Sequence, residues 1–203
     1  LVLVSTGAGD WLESKGAATK TEGGYLVNAR KHFASHSAVG DLLVTSAPFG
    51  DEVLHFALPM NAQGITVLND WRALGMRGTA SHTVQLDNVF VPDAAVVLRR
   101  PRGAYHPVWN IVLTVAMPLV MSVYVGIAQQ AANLALDHAR RKKNARPQAP
   151  SLVGEMHNDL VAAEIQLGDM LRIANNYDFD PVDRHGQDML TRKTNVANAP
   201  TRV

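Results

Sequence analysis

Cysteine does not occur in this 203-residue chain. Its absence excludes disulfides, a cysteine nucleophile and a thiolate metal site, and leaves the compartment unfixed. Excess charge of either sign is also missing, since 19 Lys and Arg stand against 18 Asp and Glu for a net charge of +1. That balance removes the bulk electrostatic case for a nucleic-acid partner or an anionic membrane. The basic run Arg140-Arg141-Lys142-Lys143 is local. No Gly-x-Ser-x-Gly elbow occurs, so Ser81-His82 with Asp87 beyond it reads as a solvated loop rather than a hydrolase constellation. No Lys-Ser or Lys-Thr closes the run Gly7-Ala8-Gly9, so it is not a phosphate loop. His32 and His36 would share a face of a regular strand, but a third ligand is missing nearby and no metal site is expected. The opening Leu1-Val2-Leu3-Val4 is too short and lacks the basic lead of a secretory leader, and a cytoplasmic protein is the expectation. The chain starts without Met inside an apolar strand and stops within a helical pattern, so a piece of a longer protein is expected.

What is present divides by period. Hydrophobic residues make up 47% of the chain, enough for a substantial core. Over residues 1–100 short apolar runs recur between turn residues: Leu1–Val4, Ala17–Thr21, Tyr25–Asn28, Leu42–Ala47, Val53–Leu58, Ile65–Leu68, Thr83–Leu86 and Val89–Val91. Repeated short strands with Gly and Pro punctuation predict an antiparallel barrel or sandwich. The basic, turn-rich Arg99-Arg100-Pro101-Arg102-Gly103 reads as the boundary between this domain and a helical one over 101–203, for an α+β chain of two domains. Beyond it Val108, Val112, Val115, Leu119, Val123, Ile127, Ala131 and Leu134 fall at helical steps, with Pro118 expected to kink the helix. A second helix runs from about Ser151, its expected cap, with Leu152, Met156, Leu160, Ala163, Leu167 and Leu171 as its stripe. A third starts near Gln187. Ile111–Ala128 holds no charge over 18 residues, the length of a membrane span. Thr114, Pro118, Ser122 and Gly126 dilute it, and a helix apolar all round is buried on several sides, so packing within and between subunits is expected instead.

The stretch that points to chemistry is Gly23–Ser37. It reads as a strand, a short corner and a second strand, with Phe33 beside Ser35 and Ser37. A flat aromatic next to a hydroxyl donor is what a planar heteroaromatic cofactor needs. Its spelling, Gly-Tyr-x-Val-Asn-x-x-Lys-x-Phe-Ala-Ser, resembles the flavin-contacting segment of the acyl-CoA dehydrogenase superfamily. Two further pieces occur in the same order as in that superfamily. Leu74-Gly75-Met76-Arg77-Gly78-Thr79, with Asp87-Asn88-Val89-Phe90-Val91-Pro92, closely resembles its Leu-Gly-x-Arg-Gly-Ser/Thr segment and following strand end. Val4-Ser5-Thr6-Gly7-Ala8-Gly9 resembles its Thr-Glu-Pro-Gly-Ala-Gly loop in part, although Val4 replaces the hydroxyl-bearing threonine. Gly126-Ile127-Ala128 and the Arg-rich tail of the first helix follow the opening of its C-terminal domain.

The resemblance implies FAD and a homo-oligomer, a dimer or tetramer. It implies that Phe33 packs on the isoalloxazine, Ala34 and Ser35 meet the N5/O4 edge with Ser35 donating, and Val4, Ser5, Thr6 and Gly7 meet the pyrimidine. It puts Asp10 in place of a serine near the substrate. Lys142 stands for an arginine that holds the pyrophosphate, without that arginine's fork. Against the family pattern, Thr114 and Met117 replace an Asp and an Arg that hold CoA, and Val108–Leu136 contains no carboxylate to take the α-proton, so the catalytic base is unknown. The resemblance implies α,β-desaturation of an acyl thioester with hydride passing to the flavin. Flavin-dependent oxygenation of an aromatic small molecule on the same fold is the alternative, and a non-catalytic interaction remnant is the alternative from another class. The 203 residues alone are expected to be inactive.

Overall fold

A computed structural model describes residues 1–7, 9–141 and 147–201. The chain divides into two compact units, Leu1–His106 and Pro107–Val203.

The first unit is built from two four-stranded sheets. One runs in the order β1 (Leu3–Ser5), β4 (Leu42–Phe49), β5 (Glu52–Pro59), β8 (Val96–Pro101). The other runs β2 (Ala17–Thr21), β3 (Gly24–Ala34), β7 (His82–Pro92), β6 (Ile65–Val67). Neighbours are antiparallel except β1, which joins β4 in parallel. Alternate residues of β3, β4, β5 and β7 meet in a shared core that includes Val27, Leu43, Leu54, Phe56 and Leu86, all fully buried. Each such side chain contributes roughly 1.5–3 kcal/mol of transfer free energy.

Three expectations change here. The apolar runs at 83–86 and 89–91 form one strand, β7, interrupted by a bulge. Asn88 takes a left-handed φ of 49° there, and the Asn28 amide on β3 stitches it, accepting from the Asn88 backbone N–H at 2.9 Å. Residues 24–34 form no corner, because β3 is continuous. The basic run at 99–103 is not a linker. Arg99–Pro101 end strand β8, and Arg100 is only 1% exposed.

The second unit contains α1 (Val108–Arg141), α2 (Ala149–Ala174) and α3 (Asp183–Asn198), each packed on the other two. Pro118 is buried inside α1, which continues through it. The buried face of α1 carries Asn110, Leu113, Thr114, Pro118, Met121, Val125, Ala128 and Ala132. The stripe expected from spacing lies on the other side, where Leu119, Val123, Ile127 and Leu134 are each more than half exposed. A helix apolar all round satisfies the helical period on more than one face, so spacing leaves the phase open. This helix is long and apolar enough to cross a membrane, with a mean hydropathy of 2.2 in its most apolar stretch. In α2 the buried residues are Ala163, Met170, Ile173 and Ala174, and only Ala163 belongs to the expected stripe. Its N-cap is Gln148 with Pro150 in the first turn, so Ser151 is not the cap. Asp169 on α2 pairs with Arg192 on α3, which also reaches Asp188 at 3.0 Å.

Candidate functional site

Strand β3 sets up the site. Tyr25, Val27, Ala29 and Lys31 point inward and Asn28 and Arg30 outward, the period of two for a half-buried strand. By that period Phe33 would be buried. A register shift against β7 between Lys31 and Ala34 reverses the phase. Phe33 takes a left-handed φ of 58°, Ala34 turns into the core, and the Phe33 ring becomes 67% exposed. A one-residue bulge sends every later side chain to the other face.

The exposed ring forms one wall of an open cleft of about 240 Å³, lined also by His32, Asp70, Trp71, Arg72, Ser81 and Thr83. Trp71 meets Phe33 edge-on, with ring centroids 6.3 Å apart. The far wall is braced by polar contacts. Asp70 accepts from the Thr83 N–H at 2.8 Å, and Thr83's donors hold its carboxyl below the usual carboxylate range. His82 Nδ1 accepts from the Trp71 N–H at 3.1 Å, and His32 Nδ1 lies 3.0 Å from the Thr83 hydroxyl. His36 sits in the following turn at a φ of 63°, so it does not share a strand face with His32. Among the described residues no group of three His, Asp or Glu side chains could hold a metal ion.

Two turns are fastened together at this end of the sandwich. The turn after β3 reaches the turn before β7 through His36 N–H to the Thr79 carbonyl at 2.8 Å, Ser37 Oγ to the Ala80 carbonyl at 3.2 Å, and Ser35 Oγ to Ser81 Oγ at 2.8 Å. Four non-glycine residues here, Phe33, His36, Met76 and Ala80, adopt left-handed backbone conformations. Each such residue costs roughly 1–2 kcal/mol, and strain of this kind gathers at ligand sites. Leu74 and Met76, 98% and 73% exposed, add apolar surface beside the cleft.

A second polar cluster lies inside the same unit and is sealed. Lys31 Nζ, from β3, pairs with Asp10 at 2.8 Å and donates to Ser14 Oγ at 2.9 Å, and both Lys31 and Asp10 are more than nine-tenths buried. Ser14 Oγ also lies 2.9 Å from Ser46 Oγ. Arg100 Nη2 donates to the carbonyls of Asp10 and Glu13, Nη1 to that of Leu12, and Nε to His55 Nε2 at 3.0 Å. Burial lowers the Lys31 pKa against the pull of Asp10. Burial, then the Arg100 charge, pushes His55 down to about 4. The cluster anchors the turn at Gly7, whose φ is 91° and whose carbonyl accepts from the Asp10 N–H at 2.8 Å. A Cβ at Gly7 would come within 3.1 Å of the Asp10 carboxylate.

These positions revise several expected contacts. Val4 is fully buried in the core, so its side chain cannot line a ligand site. Ala34 is fully buried as well and offers backbone alone. The Thr6 N–H donates to the Val44 carbonyl at 3.1 Å and its hydroxyl lies 2.5 Å from Thr45 Oγ1, so both are occupied within the sheet. Ser5 is exposed and Gly7 is half-buried. Asp10, expected near the substrate, instead directs its carboxylate to Lys31 and Ser14. Lys142 lies outside the described residues. Sequence reasoning missed Lys31 and Arg100 as buried cations. For Lys31 the signal was present, since it shares the odd-numbered face of Tyr25, Val27 and Ala29. Trp71 and Asp70 as cleft walls had no local signal, because a loop brings them to β3.

Comparisons with known proteins match this geometry to a family. Residues 7–89 match the family model of the acyl-CoA dehydrogenase middle domain. Dibenzothiophene monooxygenase of Rhodococcus erythropolis is 31% identical over 166 residues, covering 73% of this chain and 38% of that protein. A nitrososynthase structure from Micromonospora carbonacea var. africana superposes with a TM-score of 0.75 at 24% identity, over 98% of this chain and 52% of that one. XiaF from a Streptomyces species, solved in complex with FADH2 and glycerol, gives a TM-score of 0.73 at 22% identity over 98% of this chain and 55% of that one. The chain thus spans about half the length of its structural neighbours, and less of its curated relative. Residues 7–89, which carry Phe33, thus belong to the acyl-CoA dehydrogenase middle-domain family, and the chain as a whole shares the fold of these neighbours.

Proposed function

We propose that this chain is the flavin- and substrate-facing part of a flavin-dependent monooxygenase acting on a small molecule other than an acyl-CoA. The observation that carries the reading is the Phe33 ring, turned out of the core by a bulge and left open beside a cleft with a second aromatic wall. An apolar ring two-thirds exposed in a strained turn is a poor choice for stability and a good face for a planar ligand. The residues present fit a flavin. Phe33 offers a ring face and the half-buried Ser35 a hydroxyl two residues on, and the exposed Ser5 and half-buried Gly7 are the further contacts we assign to it. FAD is the flavin we assign. When bound in reduced form, it supplies the two electrons with which dioxygen oxygenates a substrate. The chain's own part is to hold the ring, exclude water from its Phe33 face and set the hydrogen bonds at its edge.

The choice of monooxygenase follows from what α1 carries. Thr114 and Met117 stand where the family resemblance implies an Asp and an Arg for CoA, and Thr114 is fully buried with no hydrogen-bond partner for its hydroxyl. Neither residue can form an ion pair with a CoA-bearing substrate. The 31% identity to a dibenzothiophene monooxygenase supports the same choice and an aromatic substrate class. Acyl-CoA dehydrogenation is the second reading, favoured by the middle-domain match over residues 7–89. The proposal includes a cytoplasmic homo-oligomer, in which partner subunits would cover the apolar outer face of α1 at Leu119, Val123 and Ile127.

Anaerobic titration of the full-length protein tests this. Uptake of FAD, no bleaching of that FAD by acyl-CoA, and oxygenation of an aromatic thioether or phenol with chemically reduced flavin and oxygen support a monooxygenase. Bleaching by acyl-CoA selects the dehydrogenase. A protein that takes up no flavin in either redox state overturns both and leaves an interaction remnant.

A further inference from the structure

The polar wall of the Phe33 cleft carries three side chains in series, His32 from β3, Thr83 from β7 and Asp70 from the loop between β6 and β7. His32 Nδ1 lies 3.0 Å from the Thr83 hydroxyl. The Thr83 hydroxyl and the Thr83 N–H, the latter at 2.8 Å, both donate to Asp70. Asp70 sets the sense of the series, because an ionised carboxylate has no proton to give. The single Thr83 hydroxyl proton goes to that charge, the stronger of its two possible partners. Its oxygen then accepts from His32 Nδ1–H. A neutral imidazole protonated at Nδ1 keeps a bare lone pair on Nε2. His32 is exposed at the cleft beside Phe33, with ring centroids 6.4 Å apart, and among the described residues its Nε2 has no hydrogen-bond partner. Arg72 lines the same cleft. Its Nη1 donates to the Trp71 carbonyl at 2.9 Å, and among the described residues it forms no ion pair.

We infer that His32 is the general base of this site, with Thr83 and Asp70 as the positioning residues that turn its free lone pair to the cleft, and that the substrate it serves is a phenol. The proposal rests on the monooxygenase reading above and deepens it by choosing phenols from the aromatic class. The phenolic proton passes to His32 Nε2, leaving a phenolate beside an imidazolium. The electron pair of the broken O–H bond stays on oxygen and enriches the ring carbons that are to be oxygenated. Arg72 supplies a positive charge for the phenolate oxygen. Oxygenation consumes one dioxygen and the two electrons of the reduced flavin. One oxygen atom enters the ring as a hydroxyl, the other leaves as water, and the imidazolium returns its proton to the phenolate oxygen. An aromatic thioether has no such proton, so a base in this position gives it nothing.

The test uses the full-length protein loaded with FAD, kept reduced under anaerobic conditions so that its visible absorption is bleached, and 4-nitrophenol, which is yellow only as its phenolate. The wild type is expected to hold this ligand with a phenolate-to-phenol ratio about tenfold or more above that of the free ligand at the same pH. His32→Gln is expected to lose most of that excess, and its kcat for oxygenation of phenol with oxygen is expected to fall about 100-fold. Thr83→Val and Asp70→Asn are expected to lower the ratio as well, and Thr83→Ser to keep it. Asp70→Asn is the sharper of these, because a carboxylate without a positioning role would only repel a phenolate and its removal would raise the ratio. Thermal unfolding of each variant confirms that it is folded. A wild type that takes up FAD and leaves 4-nitrophenol unbound or un-ionised, or a His32→Gln variant that matches the wild type in both ratio and phenol turnover, overturns the proposal while leaving the flavin reading standing. Absence of flavin uptake by the wild type overturns both.

Discussion

Lys31 and Phe33 are two residues apart on one strand and meet opposite fates. The regular period of β3 carries the charged Lys31 inward, where Asp10, Ser14 and the Arg100-held turn surround it. The bulge that follows carries the apolar Phe33 outward. Hydrophobicity alone would assign them the other way round. The sealed cluster is fully paired and joins the two sheets, since Lys31 comes from one, Ser46 and Arg100 from the other, and Asp10 and Ser14 from the segment between β1 and β2. The cleft is strained, apolar at its rim and open. One end of the strand therefore serves stability, and the other gives up stability and leaves an aromatic ring open.

The comparison breaks most sharply at Lys31. Lys31→Met leaves the Asp10 carboxylate buried without its cation and is expected to destabilise the folded protein by about 3–5 kcal/mol, read by chemical denaturation. A loss below about 1 kcal/mol would mean that the pair is solvated. The pH dependence comes next. His55 has a folded pKa of about 4, below its unfolded value of 6.5, so between those values the unfolded chain binds the extra proton. Stability is then fully present above pH 6.5 and is lost as pH falls toward 4, by up to about 3 kcal/mol. His55→Gln keeps an acceptor for Arg100 and is expected to flatten that slope in pH-resolved unfolding.

At the open end the effects divide between binding and stability. Phe33→Ala is expected to weaken flavin binding by about 10- to 100-fold, for one lost aromatic stacking face, with little change in unfolding free energy. Phe33→Gly removes the ring and the penalty of its φ of 58° together, so it is expected to stabilise the fold by about 1 kcal/mol while losing flavin. Equal damage to stability and binding would show the ring to be core. Leu74→Gln, at a side chain 98% exposed, is expected to shift stability by less than about 0.5 kcal/mol in thermal melts.

The layout was largely legible. Strand runs with Gly and Pro punctuation located β2, β4, β5 and β6 nearly to the residue, and the change of period located α1 and α2. Less legible were the faces. On α1 the expected stripe is mostly the exposed one, because leucines, valines and alanines surround the helix and only the positions of α2 and α3 choose among its sides. At the candidate site, the spelling singled out Phe33, which the structure leaves exposed at the cleft, and Ser35, which it puts in the turn after β3. Val4, Ala34 and Thr6 were placed with them, yet their side chains or polar groups are taken up inside the sandwich. Arg100 read as part of a linker because a buried arginine with several carbonyl partners looks, in a single chain, like any other basic residue.

The amino-acid order by itself determined a strand-rich half followed by a helical half, the absence of thiol chemistry, and an aromatic-hydroxyl segment with the family's spelling. These are local properties, set by side-chain period, turn propensity and residue type. Tertiary structure decided which side of each element is inside, because that depends on a bulge in the pairing of β3 with β7 and on helices packing from outside the segment concerned.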